Sequence, residues 1–284
     1  LDAYLDAVHL TTGQRVVVLP DGTGSKGDEA LLRGVLNVMK GTPNLVLLTP
    51  RKELWRDVVT DRTLEFTEYY VSVNQLQKQL ARPLDLVVVG TDVIDGTCGL
   101  EDSLGRLKAV AAAAKAGSTV RVFCSFRSDV KEEILKEIAG LPQTVQFYLR
   151  DMLSLENFNK LTGRKGEYFP DFAFFCETQK SLLTEDYTAQ IKEAKAGGST
   201  VVGLNFGEPS FRSFYAEHTP AMRAKYVETV LRSICEEIPS ARIWLISHDY
   251  RHWNGYFSDA DYQNLTMQVA ENIGCSERVT LIPA

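Results

Sequence analysis

Cysteine is sparse in this 284-residue chain. Its five copies, at positions 98, 124, 176, 235 and 275, are scattered and include no C-x-x-C pair. That argues against a disulfide framework and for a reducing, cytoplasmic setting. Cys124 and Cys176 end apolar runs, so they read as small buried hydrophobes. No apolar run approaches the roughly 20 residues of a membrane span, so no integral membrane protein is expected. Positive charge is not in excess either: 31 Lys and Arg face 37 Asp and Glu, a formal net charge of −6. A nucleic-acid partner, which calls for a basic face, is not expected. There is no repeat of solenoid length, no low-complexity tract and no visible signal peptide. The chain opens on Leu1 rather than Met, so its natural start is expected upstream.

What is present is an alternation of short β-rich runs with segments of helical period. Strands are expected at 15–19, 45–48, 86–89, 120–124, 145–149 and 172–175, then at 201–205, 243–246 and 279–282. Between them, Leu31, Leu32, Val35, Leu36 and Met39 recur one helical turn apart. Leu104, Leu107, Val110, Ala111 and Ala114 share one side of a second helix. A third, "DVKEEILKEIAG", has Asp129 as its expected N-cap and Gly140 at its end. Apolar strands with helices between them imply parallel sheets covered on both faces. The polar stretch between Glu177 and Gly198, ending in Gly-Gly, marks a boundary. The expected fold is α/β, with two Rossmann-like domains facing a cleft (GT-B-like), over residues 1–180 and 181–284. The second reads as unfinished, since its last strand stops at Ala284 and leaves a raw sheet edge. More sheet is expected beyond it.

"VVVLPDGTGSKGDEALL" spells Gly22-x-Gly24-x-x-Gly27 between a strand and a helix, the letters of a dinucleotide turn. Such a turn rests a pyrophosphate on the helix N-terminus. Here Asp28 and Glu29 fill that first turn; they complement the macrodipole themselves and repel a diphosphate. The next strand ends in Thr49-Pro50-Arg51-Lys52, without the acid that holds a ribose. An NADP site, with Arg51 at the 2′-phosphate, is the weaker reading. The turn is expected to use glycines at φ > 0 and to face a neutral polyol, with Asp28 receiving hydroxyls or taking a proton from one.

Taken together, "GSKGDEALL", "DLVVVGTDVIDG", "YLRDMLSLENFNKLTG" and "FPDFAFF" resemble the polysaccharide pyruvyl transferase family. The matching residues are Gly24, Gly27, Asp28, Glu29 and Ala30; Asp85 and Gly90; Arg150, Asp151, Ser154 and Leu155; Pro170, Asp171 and Ala173. Ser25-Lys26 replaces the family's Asn-x, Thr91 stands where a second glycine is common, and the family's later Arg-x-His element does not occur before Ala284. The resemblance implies transfer of a pyruvyl group from phosphoenolpyruvate to a sugar of a cell-surface glycan, as a cyclic ketal. It implies an acceptor side in residues 1–180 and a donor side in 181–284, with no cofactor beyond phosphoenolpyruvate as co-substrate. The acceptor is a sugar or glycan, free or lipid-linked, and the protein is cytoplasmic with the inner membrane face open to it as a peripheral position.

Ketal formation needs proton transfer at the enol carbon and at each attacking hydroxyl, and cations for the donor's carboxylate and phosphate. Arginine and histidine can supply that charge without a metal. Arg150 directly follows a strand and is the first cation to consider, with an ion pair to Asp151 or Asp171 as its structural alternative. Asp151 and Ser154 have the spacing of an N-cap and its N3 partner. "LISHDYRHWNGYF" places His248, Arg251, His252 and Trp253 past a strand end. His248 and His252 suit proton transfer or phosphate contact; they have a zinc pair's spacing but no third ligand. Trp253 can stack on a sugar ring. Asn205, Gly207 and Glu208 follow another strand of that domain, and Arg127 holds the equivalent place in the first. A GT-B-type glycosyltransferase using a nucleotide sugar and a catalytically inactive sugar-binding relative are the competing readings.

Overall fold

The computed structural model describes residues 12–19, 25–43, 45–49, 65–68, 80, 82–97, 99–177, 185–250 and 257–282. Gly24, Arg251, His252 and Trp253 lie outside them, as do Arg51 and Lys52. The chain divides into two compact units, one running to Glu177 and the other from Thr178, apart from Gly24–Lys26, which groups with the second.

In the first unit, β1 (Arg15–Val18), β2 (Val46–Thr49), β3 (Glu65–Glu68), β4 (Asp85–Val89), β5 (Thr119–Cys124), β6 (Gln146–Leu149) and β7 (Glu167–Tyr168) form one sheet. Their order is β3-β2-β1-β4-β5-β6-β7, and every pairing is parallel. Side chains alternate across a strand, so Val16 and Val18 join one core with Leu86, Val88, Val120 and Val122, while Val17 joins another with Leu47, Val87 and Val89. Helices cover both faces, which explains why the strands read as unbroken apolar runs. The first core is closed by α2 (Leu100–Lys115), α3 (Glu132–Ala139) and α4 (Met152–Thr162), through Leu107, Ile134, Ile138 and Phe158. The second is closed by α1 (Lys26–Val38), through Leu31, Leu32 and Val35, and by Phe172.

Two local readings change. Residues Phe172–Phe175 form a 3-10 turn rather than a strand, capped by Asp171, whose Oδ1 accepts from the Ala173 amide at 2.9 Å. The preceding Pro170 restricts the backbone entering it. A Cβ at Gly34 would collide with the Phe172 carbonyl oxygen, so α1 approaches this turn only because residue 34 is glycine. Asp129 does not cap α3; Lys131 holds that position, and Asp129 pairs with Arg127 instead.

The second unit begins, among described residues, with α5 (Glu185–Ala196) and continues through β8 (Thr200–Leu204), α6 (Glu208–Phe214), α7 (Pro220–Glu237), β9 (Ala241–Ile246), α8 (Asp259–Asn272) and β10 (Val279–Ile282). The stretch expected as a polar boundary is therefore partly helical. Its sheet, β10-β9-β8, is also parallel. Ile243 and Leu245 meet Val227, Leu231, Tyr262 and Val269 in the core. No helix among the described residues is long and apolar enough to cross a membrane.

Two arginines perform one structural task, each in its own unit. Arg164, buried, donates to the carbonyls of Leu141 (2.8 Å), Pro142 (2.9 Å) and Val145 (3.2 Å), just past the end of α3. Arg278 donates to Ile238 (2.6 Å), Ala241 (3.0 Å) and Cys235 (3.3 Å), at the end of α7. Each gathers carbonyls of the turn that leads from a helix end into the next strand, with a charge that suits the dipole there.

Candidate functional site

Open parallel sheets bind ligands beyond the carboxyl ends of their strands, above all where the strand order reverses. In the first sheet that reversal falls between β1 and β4. Gly90 follows β4, and a Cβ on it would strike Val93, so the chain turns sharply there only with glycine. A narrow pocket of about 20 Å³ opens at the ends of β4, β5 and β6, among Gly90, Cys124, Tyr148, Arg150, Asp171 and Phe172. Its floor is aromatic: Phe123 stacks on Tyr148 at 4.7 Å and 13°, with Phe169 and Phe172 edge-on at 5.0 and 4.9 Å.

Arg150 is the cation of this pocket. Its Nε stands 3.5 Å from Asp151 Oδ2 and its Nη1 3.5 Å from Asp171 Oδ2, too far for the 2.7–2.9 Å of a charge-assisted hydrogen bond. Both carboxylates have other work. Asp151 caps α4, accepting from the Ser154 amide at 2.7 Å and the Ser154 hydroxyl at 3.0 Å, as the spacing predicts; Asp171 caps the 3-10 turn. Arg150 is thus held in place electrostatically while its donors stay open to a ligand. Cys124 is no nucleophile, since burial, reinforced by Asp95, pushes its thiol pKa far up.

The loop after β4 is bound to β5 through Ser125, whose Oγ lies 2.6 Å from the Thr91 carbonyl and 2.8 Å from Asp92 Oδ1. Asp95 in the same loop accepts from the Thr97 amide at 3.0 Å, while its buried Oδ2 has no hydrogen-bond partner. Sequence reasoning passed over this pair of acids; its one signal was "TDVID" directly past a strand end. Arg127 is exposed, but Asp129 grips it twice, at 2.8 and 2.6 Å. That hydrogen bonding raises the Arg127 pKa, and the residue is already engaged rather than an open ligand cation.

Asp28 and Glu29 occupy the first turn of α1, as expected. Gly27 does not behave as a turn glycine: α1 already begins at Lys26, and Gly27 is not among the residues with positive φ. A helix start that early keeps both acids within the first turn, where their charge suits the dipole.

In the second unit, Asn205 is exposed just past β8, and Gly207 is the N-cap of α6. Glu208, the first residue of that helix, is fully buried and faces the core, not the sheet edge. It accepts from Arg223 Nη2 (2.6 Å) and Nε (3.0 Å), from Arg212 Nε (3.0 Å) and from the Tyr262 hydroxyl (2.8 Å). Burial alone would raise its pKa; the bonds from Arg223, Tyr262 and Arg212 win and hold it at about 2. This is a structural hub joining α6, α7 and α8.

His248 presents an exposed side chain just past β9, beside Ser247, whose buried Oγ has no partner. The loop is braced by Asp259 at the start of α8, whose Oδ2 accepts from the amides of His248 (2.8 Å) and Asp249 (3.0 Å). Ser258 and Asp261 close a capping box on the same helix. No three His, Cys, Asp or Glu side chains among the described residues come together to hold a metal.

No protein-family model and no curated protein matches the chain. Solved structures do. The Anabaena HepE protein in complex with UDP and glucose aligns over 95% of this chain and 69% of its own, at TM-score 0.56 and 10% identity. A putative UDP-N-acetylglucosamine 2-epimerase from Listeria monocytogenes aligns over 96% and 70%, at 0.53 and 10%. A glycosyltransferase from Rickettsia africae aligns over 96% and 68%, at 0.52 and 7%. At such identities the likeness is one of fold: two Rossmann-like α/β units of the glycosyltransferase-B kind.

Proposed function

We propose that this chain acts on sugars activated as nucleotide diphosphates, as a glycosyltransferase. The observation that carries the reading is that each parallel sheet presents polar groups just past its carboxyl edge: half-buried Arg150 in one unit, exposed Asn205 and His248 in the other. Structures of like fold hold UDP and glucose, or are named for a UDP-sugar or for glycosyl transfer. In this reading the acceptor hydroxyl loses its proton as the sugar–phosphate bond breaks, and the exposed imidazole of His248 is the group to take it. Asn205 supplies hydrogen bonds to donor or sugar, and Arg150 meets anionic charge at its own edge. This chain's enzyme character, its sugar partners and its cytoplasmic setting are parts of the same proposal.

A second reading, pyruvyl transfer from phosphoenolpyruvate, keeps the support of the four motifs. One structural feature favours it. The Arg150 fork, unsaturated in a pocket of about 20 Å³, suits a carboxylate or phosphate on a small donor better than a bulky nucleotide.

The test is thermal unfolding of the full chain with UDP-glucose, UDP-N-acetylglucosamine or phosphoenolpyruvate, followed by mass spectrometry with acceptor glycans. Stabilisation by a UDP-sugar and a product heavier by one hexose or N-acetylhexosamine unit, matching that donor, is the expected result. Protection by phosphoenolpyruvate alone, with a ketal product, replaces it with the second reading. Glycan binding with neither product identifies an inactive sugar-binding protein.

A further inference from the structure

A much larger cavity, of about 550 Å³, lies at the opposite, amino edge of the first sheet, bordered by Gly13, Arg15, Lys40, Gly41, Thr42 and Asp85. Asp85 opens β4 in register with Arg15 of β1. Its Oδ2 accepts from Arg15 Nε at 2.7 Å and lies 2.5 Å from Nη2, while its Oδ1 accepts from Arg121 Nη1 at 2.6 Å. One carboxylate therefore fixes two guanidinium planes. It leaves donors over: among the described residues, Arg15 Nη1 reaches only Thr42 Oγ1, at a limiting 3.5 Å, and Arg121 makes no other side-chain hydrogen bond. Lys40 is exposed and in no ion pair among them. Three cations against one acid leave a local surplus of positive charge on a chain whose formal net charge is −6.

The walls suit close approach. Gly13 and Gly41 have φ of 79° and 80°, and at neither would a Cβ meet any atom within 4 Å. The volume lies inside the roughly 300–1,000 Å³ of small-molecule sites. A guanidinium held through Nε and Nη2 keeps the donors of Nη1 for a phosphate oxygen, and an ammonium adds a point charge.

We propose that this amino-edge cavity is a second binding site, taking a small molecule that bears a phosphate or diphosphate group on Arg15 and Lys40. Asp85 and Arg121 orient the site rather than touch the ligand. Because it lies across the sheet from Arg150, it serves recognition and not the reaction, and it stands whichever reaction the carboxyl edges perform.

The test is calorimetric titration of the full chain at low salt with inorganic pyrophosphate. One amino-edge site is expected, weakened about tenfold or more in Arg15→Gln and in Lys40→Gln and kept in Arg150→Gln, which removes any second site that pyrophosphate finds at the carboxyl edge. Lys40→Gln removes no ion pair among the described residues and should keep the parent's thermal midpoint, while Arg15→Gln leaves Asp85 paired with Arg121 and should lower it only slightly. No heat at millimolar pyrophosphate overturns the proposal. So does binding retained when Arg15→Gln and Lys40→Gln are added to Arg150→Gln, or all binding lost in Arg150→Gln alone, which moves the anion to the carboxyl edge.

Discussion

Glu208→Gln removes one charge and almost no volume, yet it strikes the most enclosed carboxylate of the second unit. In the parent, the Glu208 pKa stands at about 2 against an ordinary 4.5. At about 1.4 kcal/mol per unit, that separation supplies about 3 kcal/mol of stability to the folded state. The folded pKa is the depressed one, so this contribution is fully present above the unfolded carboxyl's range and is lost as pH falls from about 4.5 towards 2. Glutamine still accepts one hydrogen bond, but it leaves the Arg223 guanidinium, whose side chain is 11% exposed, without its counter-charge. Orphaning a buried partner costs about 3–5 kcal/mol. Urea unfolding by circular dichroism at pH 7 and pH 3, with hydrogen exchange of β8 and β9 amides reporting the second unit, reads both effects. The variant should be weaker at pH 7 by about that amount and should flatten the acid limb between pH 4.5 and 2. A variant matching the parent at pH 7, with the parent's acid slope, would falsify the account of Glu208 as the hub.

Arg164→Met and Arg278→Met each keep an aliphatic stem but abandon three close carbonyls; each should lower stability by about 2–4 kcal/mol, in different units, as exchange protection near α3 and α7 would report. Gly34→Ala drives a methyl into the Phe172 backbone and should cost about 1–3 kcal/mol; an unaltered denaturant midpoint contradicts the close approach. Asp151→Ala loses the α4 cap, worth about 1 kcal/mol, and should leave ligand-induced stabilisation intact, whereas Arg150→Gln should reduce that stabilisation with little change in the ligand-free midpoint. Equal effects of the two on ligand response would mean that Arg150 acts only through its ion pairs.

The strands of both sheets were legible as apolar runs because helices cover both faces of the first and the central strand of the second packs into its core. Where that cover thins, legibility fails. Strand β3 reads Glu-Phe-Thr-Glu, and β7 is two residues long at the sheet edge, so neither raises an apolar signal. "FAFF" misled in the other direction, since Asp171 and Pro170 ahead of it favour a capped turn. Asp151 and Ser154 were readable because capping is a contact over three residues. The hub was not, because Glu208 and Tyr262 lie 54 positions apart, and a lone glutamate after Gly207 looks like any polar loop residue. Arg127 was placed correctly at a strand end, but Asp129, two residues on, takes up its donors.

The bracing of the β9 loop has one more consequence. Two consecutive amides end on a single oxygen of Asp259, so the imidazole that follows the strand moves as a passenger of α8. Under the proposed glycosyl transfer, substitutions on the core side of that helix, at Val269 or Ala270, can then retune proton transfer at His248 without meeting substrate at all. Damage to the reaction would surface in residues remote from it.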